Sequence, residues 1–282
     1  MAGVLDGQRA IVIGGGSGIG LGTARLLARD GAFVTIAGRT EEKLQQARAD
    51  LAVDGLDVSY AVCDAMNAAD VRNAVDAASD DGRLHIAVVV PGGGSFSSVL
   101  LYDDDQFGAE VDKNVRPVFL LLKYAGQAMV RAGYGSFVAV SSTAAAFSAR
   151  YLASYSAGKA AVDQLVEVAA DELGEAGIRV NSVRPGLTRT PGTTRSFSNA
   201  ALMNEFLAGQ AIPRHGEIDD IAQAIRYMAG PESSWVTGQL LTVDGGHTLR
   251  AFPDQTKFFD FPDWRRAALD AHPSTRIAPA AP

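Results

Sequence analysis

The sequence predicts an α/β protein with a Rossmann-type doubly wound parallel sheet of about seven strands and helices on both faces, in three α/β/α layers. Short apolar runs alternate with longer segments of helical spacing, and the runs are nearly continuous, which indicates strands buried on both faces. A glycine-rich turn and a helix directly follow the first run. The strand-like runs are residues 10–13, 33–37, 59–62, 85–90, 137–140, 178–183 and 240–243.

Composition places the 282-residue chain among soluble globular proteins, with 47% hydrophobic and 20% charged residues. Strands and helices alternate without a linker, which predicts one dinucleotide-binding and catalytic domain over residues 1–250. The net charge of -7 argues against nucleic acid or an anionic membrane as partner. No basic segment leads into a long apolar run at the amino terminus, so we expect a cytoplasmic protein.

Residues 251–282 form a C-terminal extension that is aromatic at first and then rich in proline and alanine. Its aromatic side chains can wall a substrate pocket, pack on a neighbouring subunit or cover an apolar patch of their own domain, and we expect one of the last two. These side chains are Phe252, Phe258, Phe259, Phe261 and Trp264.

No metal site is expected, because the four histidines are scattered and Cys63 is the single cysteine. This distribution gives little support to a zinc-dependent alcohol dehydrogenase or a serine–histidine hydrolase. We expect Cys63 to be a small buried apolar residue.

The glycine-rich turn follows the strand-like run 10–13 and precedes a helix over 21–30 that ends at Gly31. Strand, glycine turn and helix in this order place backbone donors and a helix amino terminus where a pyrophosphate can sit. The sequence therefore predicts a dinucleotide site at this turn. Its predicted residues are Gly14, Ser17, Gly18, Ile19 and Gly20.

Tyr155 and Lys159 stand four residues apart at the start of an alanine-rich helical segment, so both side chains project from one face. Tyrosine titrates near pH ~10, and a positive charge about 4 Å away supplies energy of the order that brings its pKa toward neutrality. Ser142 follows the strand-like run 137–140, where a hydroxyl donor can hold a substrate oxygen. These residues together predict an acid–base site.

These two constellations together resemble the short-chain dehydrogenase/reductase family, in its compact single-domain branch, over residues 5–248. The resemblance implies a homo-oligomer, a tetramer or dimer, in which helices near residues 105–132 and 157–173 pair across subunit interfaces. The residues that carry it are Gly14, Gly18, Gly20, Asp64, Asn114, Ser142, Tyr155, Lys159, Pro185, Gly186, 236–239 and 243–246.

The resemblance implies a role for each catalytic candidate. Tyr155 exchanges a proton with the substrate oxygen, and Lys159 lowers the pKa of the tyrosine while holding the nicotinamide ribose. Ser142 orients the substrate carbonyl, and its thirteen-residue spacing to Tyr155 selects it over Ser141. Asn114 holds a water that relays protons from the lysine; the alternative for Asn114 is a polar residue on a helix surface.

The choice of cofactor depends on Gly38 and Arg39, which directly follow the second strand-like run. An NAD site normally carries an acidic residue about twenty residues beyond the glycine turn, whereas an arginine accommodates a 2′-phosphate. NADP(H) is therefore favoured over NAD(H). The alternative is that Arg39 is a surface residue and Glu41 or Glu42 serves the ribose, although both glutamates fit the first turn of a helix capped by Thr40.

The resemblance assigns further residues to the cofactor. Asp64 approaches the adenine, and Gly92 and Gly93 leave room for the ribose, with a plain strand-to-loop turn as the alternative for both assignments. Residues 178–190 resemble the nicotinamide loop, and residues 191–212 are expected to form a mobile substrate lid. The contacts of that loop are Pro185, Gly186, Leu187 and Thr190.

Two departures from the family pattern affect the region around the cofactor. Ile13 stands where the family usually has threonine, and residues 89–92 read Val-Val-Pro-Gly instead of Asn-Asn-Ala-Gly. The lost polar groups normally tie adjacent strands together. The sequence therefore does not show which hydrogen bonds hold these strands together around the cofactor.

The sequence predicts an NADP(H)-dependent oxidoreductase that transfers a hydride between nicotinamide and a small-molecule ketone or secondary alcohol. One alternative is an NAD-dependent dehydrogenase of the same family that works in the oxidative direction. Another is a cofactor-sensing protein without catalysis. Steroids, fatty acyl thioesters, terpenoids, quinones and sugars all remain open as substrates.

Overall fold

The computed structural model describes residues 3–250, 257–258, 260 and 263–271 of the chain. Within these residues, seven strands form one sheet in which every neighbouring pair is parallel. The strands are β1 (Arg9–Ile13), β2 (Phe33–Gly38), β3 (Val58–Val62), β4 (Ile86–Val89), β5 (Gly135–Val140), β6 (Ile178–Pro185) and β7 (Leu240–Val243).

The strand order in the sheet is β3-β2-β1-β4-β5-β6-β7. The chain winds outward from β1 in one direction and from β4 in the other, so the order reverses between these two strands. In doubly wound sheets, ligands bind outside the carboxyl ends of the strands at such a reversal. The predicted Rossmann-type fold is confirmed. It places the expected ligand site at the carboxyl ends of β1 and β4.

Helices cover both faces of the sheet. Helices α1, α2 and α8 pack on one face, and α3, α4 and α5 pack on the other. The α-helices of the described chain are α1 (Gly18–Arg29), α2 (Glu41–Val53), α3 (Ala68–Ala78), α4 (Asp104–Ala132), α5 (Ala153–Leu173), α6 (Thr194–Phe197), α7 (Ala200–Gly209), α8 (Ile218–Ala229) and α9 (Trp264–Ala271).

Side chains of the strands alternate between two apolar cores. On β1, Ile11 and Ile13 pack beneath α3, α4 and α5, whereas Ala10 and Val12 pack beneath α1, α2 and α8. Complete burial of one such aliphatic side chain contributes roughly 1.5–3 kcal/mol. Burial on both faces explains why the strand sequences are continuously apolar.

Main-chain hydrogen bonds tie the strands together where the two departures from the family pattern occur. Ile13 and Val89 are buried in one core, and Val90 packs against the other. The Gly14 amide donates to the Ala37 carbonyl at 2.8 Å, and the Val90 amide donates to the Ile13 carbonyl at 3.0 Å. The strand edge beside the glycine turn is therefore held without the missing polar side chains.

Residues 191–212, which the sequence analysis expected to form a mobile substrate lid, are mostly helical. The 3₁₀ turn Pro191–Thr193, α6 and α7 follow one another in this segment. Leu202, Met203 and Phe206 of α7 form a third, small apolar cluster. The segment is helical because its apolar side chains pack together in this cluster and are thereby removed from water.

The described part of the C-terminal extension packs against its own domain. Phe258 lies on the apolar cluster of α7, and α9 contacts the 3₁₀ turn Val99–Leu101. Covering an apolar patch of the same domain was one of the two expected arrangements. Phe252, Phe259 and Phe261 lie outside the described residues.

Candidate active site

The glycine turn joins β1 to α1 at the point where the strand order reverses. A Cβ on Gly20 would lie 2.2 Å from the carbonyl oxygen of Gly14, so the helix approaches the turn this closely only with glycine at that position. Ser17 is the N-cap residue of α1, and its side chain makes no capping hydrogen bond. Gly18 and Ile19 open the helix, whose first amides have no intrahelical acceptor. The turn is therefore shaped to bind an anion.

Beside the turn lies a cavity of about 270 Å³, the outer cavity, which brings together four of the predicted cofactor residues. Its lining also includes Lys113, a second cation that the sequence analysis did not single out. The predicted residues in this lining are Gly14, Arg39, Asp64 and Gly92.

Two cations at the outer cavity are available to a ligand. Arg39 and Lys113 are both exposed, and neither makes an ion pair or a side-chain hydrogen bond within the described residues. Glu41, the alternative ribose ligand, accepts a hydrogen bond from the Tyr60 hydroxyl at 3.1 Å. The Asp64 carboxylate accepts from the Met66 amide at 3.0 Å. The charged side chains of this cavity that have no protein partner among the described residues are therefore the two cations.

Cys63 lies buried in the wall of the outer cavity. Burial raises the pKa of its thiol to about 11, and the carboxylates of Asp70 and Asp64 act in the same direction. The thiol is therefore neutral at ordinary pH. It packs as a small apolar group, as the sequence predicted.

A second cavity, the inner cavity, has a volume of about 390 Å³ and lies at the carboxyl ends of β4, β5 and β6. Gly92 lines both cavities, so they adjoin at this residue. Apolar side chains such as Phe96, Leu152 and Phe206 form much of its remaining wall. The predicted residues in its lining are Ile19, Gly92, Ser142, Tyr155, Lys159, Pro185, Gly186, Leu187 and Thr190.

Lys159 is held in the second turn of α5 with 2% of its surface exposed. Its Nζ donates a hydrogen bond to the Val140 carbonyl at 2.7 Å. Burial lowers the pKa of Lys159 to about 8, and Asp163 opposes this shift. Asp163 is itself paired with Arg184 at 2.8 Å. The ammonium is therefore the main form at neutral pH, but it is easily deprotonated for a lysine.

Tyr155 lies one turn before Lys159, on the same face of α5. Burial raises the pKa of its phenol, and a hydrogen bond with Ser142 opposes the rise. The net shift is upward, so burial outweighs the lowering of this pKa that the sequence analysis expected from Lys159. The lysine Nζ points to the Val140 carbonyl and lies 5.8 Å from the centroid of the phenol ring.

Ser142 and Ser141 point to different partners at the end of β5. The Ser142 hydroxyl accepts from the Ala144 amide at 3.1 Å and lines the inner cavity together with Tyr155. The Ser141 hydroxyl is buried and donates to the Lys159 carbonyl at 3.3 Å. Both serines line the inner cavity, but of the two it is the Ser142 hydroxyl that hydrogen-bonds the phenol of Tyr155.

Asn114 is fully buried in α4 and holds the loop that follows β4. Its Oδ1 accepts from the Gly93 amide at 3.0 Å, and its Nδ2 donates to the carbonyls of Gly93 and Glu110, both at 2.8 Å. A Cβ on Gly92 would lie 2.6 Å from Asn114 Oδ1 and 2.7 Å from Lys159 Nζ. Gly92 therefore approaches both side chains so closely that a larger residue would clash with them.

The segment after β6 forms one wall of the inner cavity. The Gly186 amide donates to the Val243 carbonyl at 2.9 Å, which fixes this segment to the end of β7. The Thr190 and Thr193 hydroxyls share a hydrogen bond of 3.1 Å, and Thr193 also donates to the Thr188 carbonyl at 2.7 Å. The predicted Thr190 hydroxyl is therefore held in place by a threonine that the sequence analysis missed.

Glu110 lies next to the site, and the sequence analysis missed it. It stands four residues before Asn114 and therefore on the same face of α4. This i, i+4 relation was the only local sign that Glu110 faces the site, and it is a weak one. Its partners, Ser95 and Ser154, are 15 and 44 residues away along the chain.

The part of the chain that the structure describes contains no group of three or more histidine, cysteine, aspartate or glutamate side chains able to hold a metal ion. In the same residues, no helix has both the length and the apolar character needed to cross a membrane.

Comparison with known proteins identifies relatives along nearly the whole domain. Residues 14–248 match the family described as enoyl-(acyl carrier protein) reductase. An A-factor type gamma-butyrolactone 1'-reductase (1S-forming) from Streptomyces virginiae is 35% identical over 251 residues, which cover 88% of this chain and 98% of the relative.

Solved structures show the same similarity. A short-chain type dehydrogenase/reductase from Mycobacterium ulcerans has a TM-score of 0.88 and 38% identity, over 93% of this chain and 98% of that chain. A gluconate 5-dehydrogenase from Burkholderia cenocepacia, in complex with NADP and tartrate, has a TM-score of 0.81 and 30% identity, over 88% of this chain and 97% of that chain.

Proposed function

Because the chain belongs to the short-chain dehydrogenase/reductase family, we propose that it is an NADP(H)-dependent enzyme that moves a hydride between nicotinamide and a ketone or secondary alcohol. As a member it is an oxidoreductase that acts on CH–OH or C=O groups. The observation that carries the proposal is the convergence of Ser142, Tyr155 and Lys159 on one cavity that adjoins the glycine turn.

The residues around the two cavities fit a dinucleotide. The glycines of the turn have no side chains to cover the backbone, and the α1 amino terminus lies at the same edge of the sheet. Gly92 lines both the outer and the inner cavity. When bound, the nicotinamide supplies or accepts the hydride. Residues 185–187 and Thr190 would hold it from the segment after β6.

The charges at the outer cavity favour NADP(H). Arg39 is exposed and free to pair with a 2′-phosphate, and Lys113 adds a second positive charge nearby. An acidic residue at this position would instead repel that phosphate, and Glu41 is directed to Tyr60. A relative of 30% identity was solved with NADP, which agrees with this assignment.

In this proposal, Tyr155 transfers the proton to or from the substrate oxygen. Burial raises the pKa of its phenol, so the group is protonated at neutral pH and can donate to the substrate oxygen as the carbonyl is reduced. Ser142 hydrogen-bonds both the phenol and, in our proposal, the substrate oxygen. The Lys159 ammonium then stabilises the phenolate left after proton transfer, since its pKa of about 8 keeps it mostly charged at pH 7.

A panel of ketones assayed by NADPH absorbance tests the proposal, with wild type, Tyr155→Phe and Tyr134→Phe compared. We expect Tyr155→Phe to bind NADPH normally but to lose turnover by about 10²- to 10⁴-fold, because a general acid contributes that much. Tyr134 lies on the opposite rim of the sheet and serves as the matched control. Unchanged turnover in Tyr155→Phe would reject the mechanism.

We also propose a homo-oligomer, with α4 and α5 at its interfaces. Phe119 on α4 and Val168 on α5 are 48% and 46% exposed, which leaves apolar surface on both helices. Light scattering on the purified protein tests this, and a monomer at micromolar concentration would contradict it.

A further inference from the structure

A cluster of hydrogen-bonded polar side chains adjoins Tyr155 at the start of α5, and the carboxylate of Glu110 is at its centre. Glu110 accepts from the Ser154 hydroxyl at 2.5 Å, from the Ser95 hydroxyl at 2.5 Å and from the Ser95 amide at 3.1 Å. Gln106 donates to the same carboxylate at 3.1 Å. The cluster therefore joins three separate segments: α4, the loop after β4 and the start of α5.

The carboxylate is held in its charged form. Burial raises the pKa of Glu110, but the hydrogen bonds from Ser154, Ser95 and Gln106 outweigh burial and lower the pKa to about 2. Hydrogen bonds to an ionised group are roughly twice as strong as neutral ones. Ser154 has 0% of its surface exposed, so water does not compete for its hydroxyl.

The first turn of α5 lacks a capping side chain. Its N-cap residue is Leu152, whose side chain cannot cap the helix. Tyr151, just before it, adopts a positive φ of 66°, which is unfavourable for a residue other than glycine. The Ser97 amide binds the Tyr151 carbonyl at 2.9 Å. Through Ser154, Glu110 supplies a charged anchor for this turn.

Tyr155 directly follows Ser154 in α5, and both residues lie close to Gly94 in the loop after β4. A Cβ on Gly94 would lie 2.8 Å from the Cβ of Tyr155, so the loop that Glu110 holds through Ser95 packs directly against the tyrosine. Tyr102 adds a further hydrogen bond to the Ser154 hydroxyl at 3.0 Å. Displacement of Ser154 or of the loop would therefore displace the phenol.

We propose that Glu110 is a positioning residue for Tyr155, acting through Ser154 and the loop at residues 92–97. This inference rests on the proposed function, because it gives Glu110 a purpose only if Tyr155 transfers a proton. Glu110 itself lines neither cavity, so its contribution is to geometry.

The test compares Glu110→Ala, Ser154→Ala and the double variant with wild type, using NADPH and the ketone that is turned over fastest. We expect kcat to fall by about 10- to 100-fold in each single variant, since a displacement near 1 Å is enough for such a loss. The Kd for NADPH should stay unchanged. The double variant should lose no more than Glu110→Ala alone, because both substitutions break one connection.

Two further variants separate positioning from general stability. Glu110→Gln keeps the shape and one acceptor oxygen for Ser154, so we expect most of kcat to return. Glu232→Ala removes another hydrogen-bonded glutamate, one that pairs with Arg226. We expect it to lower the unfolding midpoint without changing kcat.

Several results would overturn the inference. These are wild-type kcat in Ser154→Ala, losses that multiply in the double variant, or a loss in Glu232→Ala equal to that in Glu110→Ala. If Glu110→Ala does not fold, Ser154→Ala and Glu110→Gln still decide. Normal turnover by Tyr155→Phe would reject the proposed function instead, whereas an inactive Tyr155→Phe beside a fully active Glu110→Ala rejects this inference alone.

Discussion

The inner and outer cavities lie side by side but are built in opposite ways. At the inner cavity, Lys159 is buried and hydrogen-bonded to Val140, and Ser142 is bonded to its neighbours. At the outer cavity, Arg39 and Lys113 are exposed and make no ion pair within the described residues. Proton transfer needs atoms fixed to a fraction of an ångström, whereas attraction of a phosphate needs only charge within reach.

Substitutions at the inner cavity should therefore have the largest effects. We expect Ser142→Ala to lower kcat by about 10²- to 10³-fold, as found when one preorganised donor to a developing charge is removed. Ser141→Ala is the matched control, since its hydroxyl faces the Lys159 carbonyl. Steady-state kinetics with NADPH measure both, and equal losses would contradict the assignment of Ser142.

The outer cavity should respond in binding rather than in turnover. We expect Arg39→Ala to weaken NADPH by about 10- to 100-fold and to leave NADH unchanged, because a charge-assisted hydrogen bond contributes roughly 1.5–3 kcal/mol. Arg48→Ala, an exposed arginine on α2, is the control.

Fluorescence titration of both cofactors at low and high salt checks this assignment. The NADPH preference of wild type should shrink as salt screens the exposed charge. Equal weakening of NADH and NADPH by Arg39→Ala would reject the 2′-phosphate role and favour the NAD-dependent alternative.

Burial of the Lys159 charge should also make stability depend on pH. Its pKa falls from 10.5 to about 8 on folding, so between these values the unfolded chain holds a proton that the folded chain has released. Stability contributed by this group therefore rises with pH, by about 1–2 kcal/mol from about pH 8 to about pH 9.5. Urea unfolding should show this slope in wild type and Arg39→Ala but not in Lys159→Met. Equal slopes in all three would contradict it.

The smallest effect is expected at Glu41. Its carboxylate is bonded to the Tyr60 hydroxyl, so Glu41→Gln should change the Kd of NADH by no more than about twofold, less than the loss of one hydrogen bond to a charged group. A large loss of NADH affinity would mean that this glutamate serves the ribose. The same titrations measure it.

The sheet and the helices that flank it could be predicted from the sequence because their signals are local. Each strand is a short apolar run, and the glycine turn, Ser142 and the segment after β6 each directly follow such a run. Parallel strands bring their carboxyl ends to one edge, so the position of the site followed from the fold.

The parts that could not be predicted depend on contacts between distant segments. The spacing of Tyr155 and Lys159 places them on one face but does not show that the ammonium turns to the Val140 carbonyl. Glu110 reads as an ordinary polar residue of α4 until Ser154 and Ser95 are brought to it. The helices of residues 191–212 likewise depend on a cluster completed by the extension.

The buried thiol of Cys63 has a practical consequence. Burial raises the pKa of the thiol to about 11, so the thiolate is scarce at pH 7 and we expect little reaction with maleimides or iodoacetamide. The wild-type chain therefore already serves as a background for site-specific labelling. A cysteine introduced on α7 would carry a fluorescent or spin probe alone, and that probe would report whether the helix moves over the inner cavity during turnover.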